Sequence, residues 1–305
     1  MKRIFIVGMS SFIGANLARA LRGRHRVFGT YGNHLPHIDD AVAFHFPLVP
    51  GAPMQELANR VRPDVVIYCA GYADDHRCSS DPLGTLFVHA EVPAILTSTL
   101  SAWNGRFIYF STSKVFSGEE GNYREEDAPR PITSYGQAKY QAEDMLSRYR
   151  NVFILRLGTV FGLGGTAHTN SLIGRLLTTY REEKDIQLIA DEDRSFLSVY
   201  QLADAVEKLI EMPEETEPGV FHVSNPETVT YFDFGRRFAR VFDYPPDRIV
   251  QLSGESFSRA VGSQELRGRD LTLNGELFAE RFGFQYEKLE DSLLRLKTAL
   301  RKGTQ

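Results

Sequence analysis

The chain has 305 residues, 42% of them hydrophobic and 11% aromatic, with a formal net charge of −4. That length supports one large or two small domains with a sizeable core. Mixed charge without a basic stripe argues against nucleic acid as a partner, and no apolar run approaches the ~20 residues of a membrane span.

Met1-Lys2-Arg3 leads into Ile4-Phe5-Ile6-Val7, a short β-branched and apolar strand. The run is too short for a secretory core of roughly 7–15 residues, so a cytoplasmic location is expected. Gly8-Met9-Ser10-Ser11-Phe12-Ile13-Gly14 follows, then the helix-like Ala15–Leu21. Strand, tight turn and helix in this order aim a helix N-terminus at a pyrophosphate. Gly8 permits the sharp turn and Gly14 close packing of the helix on the sheet, while Ser11 stands where many such loops carry another glycine. The other reading is the first strand and helix of any α/β protein.

The second strand, Arg26–Tyr31, bears on cofactor choice. An acid at its end would accept hydrogen bonds from an adenosine ribose and favour NAD. Tyr31 occupies that place, and no acid follows until Asp39. The missing carboxylate favours NADP(H) and leaves NAD(H) open. Arg22, Arg24 and Arg26 are either helpers for a 2′-phosphate or solvated surface charges.

Strands and helix-like stretches alternate to about residue 160, the pattern of a doubly wound parallel Rossmann sheet in an α/β fold. Val42–Phe46 is a weak third strand, and Val65–Tyr68 and Phe107–Phe110 are good ones. Asp81 to about Leu100 has helical spacing. Beyond Gly162 the pattern loosens. Helices are expected at Asn170–Tyr180, Tyr200–Ile210, Tyr231–Phe242, Leu273–Phe282 and Leu289–Leu300, and strands at Ile186–Ile189 and Ile249–Leu252. The expected division is a dinucleotide-binding domain over 1–162, with 196–222 returning to it, and a smaller α/β substrate-binding domain over 163–305. The two cysteines make no disulfide framework. Cys69 reads as a buried small side chain and Cys78 as an incidental thiol in a polar loop. Eight scattered histidines show no ligand spacing, so no metal is expected.

Residues 105–139 carry the chemistry. The strand Phe107–Phe110 ends at Ser111-Thr112-Ser113, and Tyr135 and Lys139 follow four residues apart, on one helix face. A lysine ammonium there would lower the phenol pKa, and such a tyrosine can exchange a proton with a substrate hydroxyl or carbonyl. A hydroxyl from Thr112 could hold the same oxygen. A surface Tyr/Lys pair is the alternative.

Together these residues resemble the extended short-chain dehydrogenase/reductase family, and within it the sugar-nucleotide reductases of the dTDP-4-dehydrorhamnose reductase type. The resemblance runs through Phe110–Gly118, Tyr123, Glu125-Glu126-Asp127, Pro131 and Tyr135–Lys139. It continues at Phe153–Arg156, Val160-Phe161-Gly162, Arg194–Val199 and Gly219–Ser224. It implies Thr112 as the triad hydroxyl, Tyr135 as proton donor and Lys139 as ribose ligand. Gly8, Ser11, Phe12, Ile13 and Gly14 would touch the pyrophosphate, and Cys69, Ala70, Gly71 and Tyr72 would line the nicotinamide side. A homodimer through the helices near 85–102 and 135–149 is implied as well. His89 stands where an asparagine is usual. Ser113-Lys114 stands where the 4,6-dehydratases carry an acidic pair, which argues against dehydration. Lys114 points either to solvent or to a substrate phosphate.

The second half is expected to bind a nucleotide-sugar substrate. Arg194, Arg267 and Arg269 are candidates to clamp its diphosphate, or else exposed arginines. Asn170 and Ser171 could bond the diphosphate or cap a helix. Tyr72, Ser113 and Arg156 complete the substrate candidates. The expected function is NAD(P)H-dependent reduction of a nucleotide-linked 4-keto sugar. An NAD-dependent epimerase and a non-catalytic nucleotide-binding regulatory subunit are the alternatives.

Overall fold

The computed structural model describes residues 1–164, 171–260 and 267–303. In chain order the elements begin with β1 (Arg3–Val7), α1 (Phe12–Leu21), β2 (Arg26–Tyr31), β3 (Ala41–His45), α2 (Met54–Val61) and β4 (Val65–Tyr68). Next come α3 (Asp75–Ser80), α4 (Pro82–Leu86), α5 (Val92–Leu100), β5 (Arg106–Thr112), α6 (Ser134–Leu146) and β6 (Val152–Leu157). Then follow β7 (Thr159–Phe161), α7 (Leu172–Arg181), β8 (Ile186–Ile189), β9 (Asp193–Ser198), α8 (Val199–Glu211) and β10 (Gly219–Val223). The last are β11 (Thr228–Thr230), α9 (Tyr231–Val241), β12 (Ile249–Leu252), α10 (Gly254–Ala260), α11 (Glu276–Phe282) and α12 (Leu289–Gly303).

The chain forms two compact units. The first comprises Met1–Val115, Thr133–Arg156 and Ala203–Phe221; the second comprises Phe116–Ile132, Leu157–Leu202 and His222–Gln305. A seven-stranded sheet in the order β10-β6-β5-β4-β1-β2-β3 organises the first unit. Strands β1, β2, β3, β4 and β5 pair in parallel. The winding reverses between β1 and β4, so the loops after these strands diverge and leave a crevice at their carboxyl ends. Helices cover both faces of such a sheet, which is why β4 and the first four residues of β6 read as unbroken apolar runs. Val92, Leu96 and Leu100 of α5 pack with Met54, Ala58 and Val61 of α2 against Phe5, Val66 and Phe107.

Polar anchors fasten the returning segment to this sheet. Arg106, 4% exposed, donates to the carbonyls of Leu209, Met212 and Pro213. Lys2 Nζ donates to the Ile210 carbonyl at 2.5 Å. Two cations thus meet the carbonyl-rich end of α8, where the helix dipole favours positive charge.

In the second unit, β11-β9-β7 and β12-β8 form two small sheets. Its core is aromatic: Phe161, Phe196, Phe234, Phe238 and Tyr180 pack with Leu289, Leu293 and Leu296 of α12.

The helical stretch expected from Asp81 to about Leu100 is present as α4, a π-turn at Phe87–Glu91 and α5. Three local expectations are corrected. Pro82–Trp103 is in fact long and apolar enough by composition to cross a membrane, although half of it is buried inside the fold. Helix α11 begins at Glu276, not Leu273, because the Asn274 side chain accepts the Glu276 N–H at 2.9 Å. Cys78 is no loop thiol; it lies buried on α3, and burial raises its pKa.

Candidate active site

The nucleotide loop is built from its smallest residues. Gly8 has φ +83°, and a Cβ there would lie 2.7 Å from the Ala70 backbone, so the loops after β1 and β4 touch. A Cβ on Gly14 would collide with the Gly8 carbonyl and the Ser11 hydroxyl. The tight fit of Gly14 is therefore against its own loop, not against the sheet as expected. Ser11 caps α1, its Oγ accepting the Gly14 N–H at 3.0 Å. Phe12 and Ile13 form the first turn of α1, which carries no acid. Tyr31 ends β2 with its ring 5.3 Å from that of His45.

The three arginines considered for a 2′-phosphate lie elsewhere. Arg26 begins β2 and Tyr31 ends it, so about 17 Å of strand separates them. Arg22 pairs with Asp39 and Arg24 with Glu207.

At the end of β5 the reaction-centre candidates converge. Thr133 caps α6 by accepting the Gly136 N–H at 3.1 Å, which places Tyr135 in the first turn. The Tyr135 N–H donates to buried Asp75 at 3.2 Å. Lys139, 6% exposed, donates to the Phe110 carbonyl at 2.8 Å and lies 5.9 Å from the Tyr135 ring. Thr112 Oγ1 accepts the Lys114 N–H at 3.2 Å, leaving its own proton to be donated. Ser113 is buried beside it.

Burial dominates the electrostatics. It lowers the Lys139 pKa to about 7, against the favourable charge of Glu143. It raises the Tyr135 phenol, with Cys78 and Asp75 adding to the rise. This reverses the expectation that Lys139 lowers the Tyr135 pKa, because desolvation penalises both charged forms. Lys114, expected to face solvent or a phosphate, pairs with Asp75, its Nζ 5.8 Å from the Tyr135 ring.

On the β4 side, Cys69 carries a thiol whose pKa burial raises, so it is unreactive. Gly71, with φ +133°, lies against the His89 ring; a Cβ there would overlap it. His89 is 1% exposed and its Nε2–H donates to the Tyr72 carbonyl at 3.0 Å. That tautomer leaves Nδ1 as an acceptor, buried and without a hydrogen-bond partner. Burial and then the Lys139 charge lower its pKa to about 3. The Tyr72 hydroxyl meets Thr85 at 3.0 Å and its ring carries the Arg77 guanidinium at 3.8 Å.

Several substrate candidates are occupied otherwise. Arg156 is buried and bonds Glu143 through Nε at 3.1 and 3.2 Å and Nη2 at 2.8 Å. In the second unit Arg194 is buried on Glu192 at 2.6 Å and on the carbonyls of Asp193, Gly268 and Arg269. Arg267 grips the same Glu192 at 2.5 and 2.8 Å. These arginines tie the fold to buried carboxylates, and the expected diphosphate clamp is corrected accordingly. Arg269 is exposed. Ser171 caps α7, bonding Gly174 N–H at 3.1 Å, and Asn170 lies outside the described residues. Sequence reasoning missed Asp75 and Glu143. Glu143 had a signal, its place four residues after Lys139; Asp75 had none. Among the described residues no three His, Cys, Asp or Glu side chains could together hold a metal ion.

Known proteins share this architecture. The probable low-salt glycan biosynthesis reductase Agl14 of Haloferax volcanii is 28% identical over 302 residues, covering 97% of each chain. The dTDP-4-dehydrorhamnose reductase of Streptomyces griseus is 23% identical over 262 residues, covering 84% of this chain and 82% of its own. The structure of dTDP-4-dehydrorhamnose reductase from Bacillus anthracis in complex with NADP matches with a TM-score of 0.79 at 22% identity, covering 98% of this chain and 99% of that one. The family model of the RmlD substrate binding domain matches residues 1–301, and the chain belongs to that family.

Proposed function

We propose that this protein is an NAD(P)H-dependent reductase of a nucleotide-linked 4-keto sugar, with NADP(H) preferred over NAD(H). The observation that carries the reading is the arrangement at the end of β5, where a buried lysine, a half-buried phenol and a hydroxyl with its proton free to donate come together. The named reductases among the relatives support it.

The first unit fits a dinucleotide. Gly8 keeps the loop low and the first turn of α1 has no acid to repel a pyrophosphate. Gly8, Ser11, Phe12, Ile13 and Gly14 would hold that group. Tyr31 would meet the adenosine ribose, leaving no carboxylate to oppose a 2′-phosphate. Cys69, Ala70 and Gly71 would flank the nicotinamide. When bound, the reduced cofactor supplies the hydride.

The chain's own residues manage the oxygen. Thr112 donates to the substrate carbonyl. As the carbonyl carbon gains the hydride, its oxygen takes the Tyr135 proton, and the ketone becomes an alcohol. The raised pKa of Tyr135 keeps it a phenol at neutral pH, the form that can donate. The Lys139 ammonium stabilises the phenolate left behind until solvent reprotonates it. Lys114, fixed by Asp75, places a second cation beside the same ring.

The test follows near-ultraviolet absorbance of NADPH and NADH with a panel of nucleotide 4-keto sugars. Sugar-dependent loss of cofactor, reduced by on the order of 10³-fold in Tyr135→Phe, is the expected result. Interconversion of sugars without net cofactor consumption would replace the reading by an epimerase. Cofactor binding without turnover of any sugar would replace it by a regulatory subunit.

A further inference from the structure

We propose that Glu143, acting with Ser111 and Arg156, is a positioning residue of the reaction centre: it pins the end of β5 to α6 and so sets Thr112 against Tyr135 and Lys139. The inference rests on the reductase reading above.

Tyr135, Lys139 and Glu143 recur at intervals of four along α6, on one face of the helix. Two successive strand residues are fastened to two successive turns of that helix. The Phe110 carbonyl accepts from Lys139 Nζ, and the Ser111 hydroxyl donates to Glu143. Thr112 comes next in the chain, so its approach to the helix is limited by the second fastening.

Glu143 is 4% exposed, and a buried carboxylate persists only when its lone pairs are filled. Arg156 supplies the charge through three hydrogen bonds. Arg156 lies on β6, the neighbour of β5 in the sheet, so one carboxylate ties two strands to the catalytic helix. This matters to the chemistry because a misplacement of about 1 Å at a reacting group can cost roughly 10²-fold in rate.

Glu143 also faces Lys139 electrically. The groups acting on that ammonium from the surrounding elements are Cys69 after β4, Cys78 on α3, Tyr109 on β5 with its ring 4.5 Å away, His89 in the π-turn and Tyr135 on α6. Glu143 is the carboxylate among them, and it raises the Lys139 pKa while burial lowers it.

Two readouts test the proposal in the full-length protein. Hydride transfer is followed in a single turnover, and the Lys139 titration by NMR of 13Cε-labelled lysine, assigned with Lys139→Arg. Ser111→Ala breaks the strand attachment and leaves the ion pair. It should slow hydride transfer about tenfold with little change in NADPH affinity. Glu143→Gln should slow it by on the order of a hundredfold and move the Lys139 titration to lower pH from about 7. Should that variant not fold, the double variant Glu143→Gln, Arg156→Met removes both buried charges and gives the same readout.

A wild-type rate in Ser111→Ala, or an unmoved Lys139 titration once the Glu143 charge is gone, would overturn the inference. Failure of the wild-type protein to consume cofactor with any sugar would instead sink the reductase reading. The Lys139 titration, which needs no substrate, would still decide whether Glu143 acts on Lys139.

Discussion

Both units bury a carboxylate beside two cations, Glu143 in the first and Glu192 in the second, and the two clusters differ in what the second cation is. Glu143 in the first unit pairs with Arg156 and faces Lys139. Glu192 in the second unit pairs with Arg194 and Arg267. Arginine remains charged throughout the physiological range, so the charge of the Glu192 cluster is fixed. Lysine shifts readily when buried, and the Lys139 pKa of about 7 makes the charge of the Glu143 cluster adjustable near neutrality. The permanent cluster suits a scaffold. The adjustable one lies beside the residues proposed to move a proton.

The comparison is broken most readily at its strongest member. Arg156→Met leaves Glu143 buried without its hydrogen-bonded charge, and should cost about 3–5 kcal/mol in urea unfolding. Arg194→Met should cost less, roughly 1–3 kcal/mol, because Arg267 continues to hold Glu192. Equal losses in the two variants would show that the second arginine contributes nothing. A third variant sharpens the contrast in titration. Between about pH 7 and its ordinary pKa of 10.5, Lys139 binds a proton more readily in the unfolded chain than in the folded one. Folding stability should therefore rise as pH is raised through that window. Comparing unfolding free energies across it, Lys139→Met should lack that rise. Arg194→Met should follow the wild-type pH dependence.

The sheet was legible in the chain because its strands are apolar runs that need no partner to be recognised. Ile186–Ile189 and Ile249–Leu252 match their expected bounds. Short amphipathic pieces were less visible. Helices α3 and α10 carry few apolar residues, and α2 has only eight residues in which to show its apolar face. At the candidate site, spacing brought Tyr135 and Lys139 to one helix face, and a hydroxyl-rich strand end brought Thr112 near them. The arginines were the least legible. Arg156 read as a substrate contact and Arg194 as a phosphate ligand, yet each lies within reach of a buried carboxylate that its own segment does not announce as buried.

Sequence alone determined the order of the sheet-forming segments, the glycine-bearing nucleotide loop and the periodicity that aligns Tyr135 with Lys139. These are local properties, set by backbone sterics and by intervals of a few residues. Tertiary structure decided which charges are spent and which protons can move. Asp75 reaches Tyr135 across 60 positions of chain, and Ser111 reaches Glu143 across 32. The Lys139 and Tyr135 pKa values follow from how much water the completed fold excludes. Desolvation belongs to the assembled interior and to no single segment, so it becomes readable only once the chain has folded.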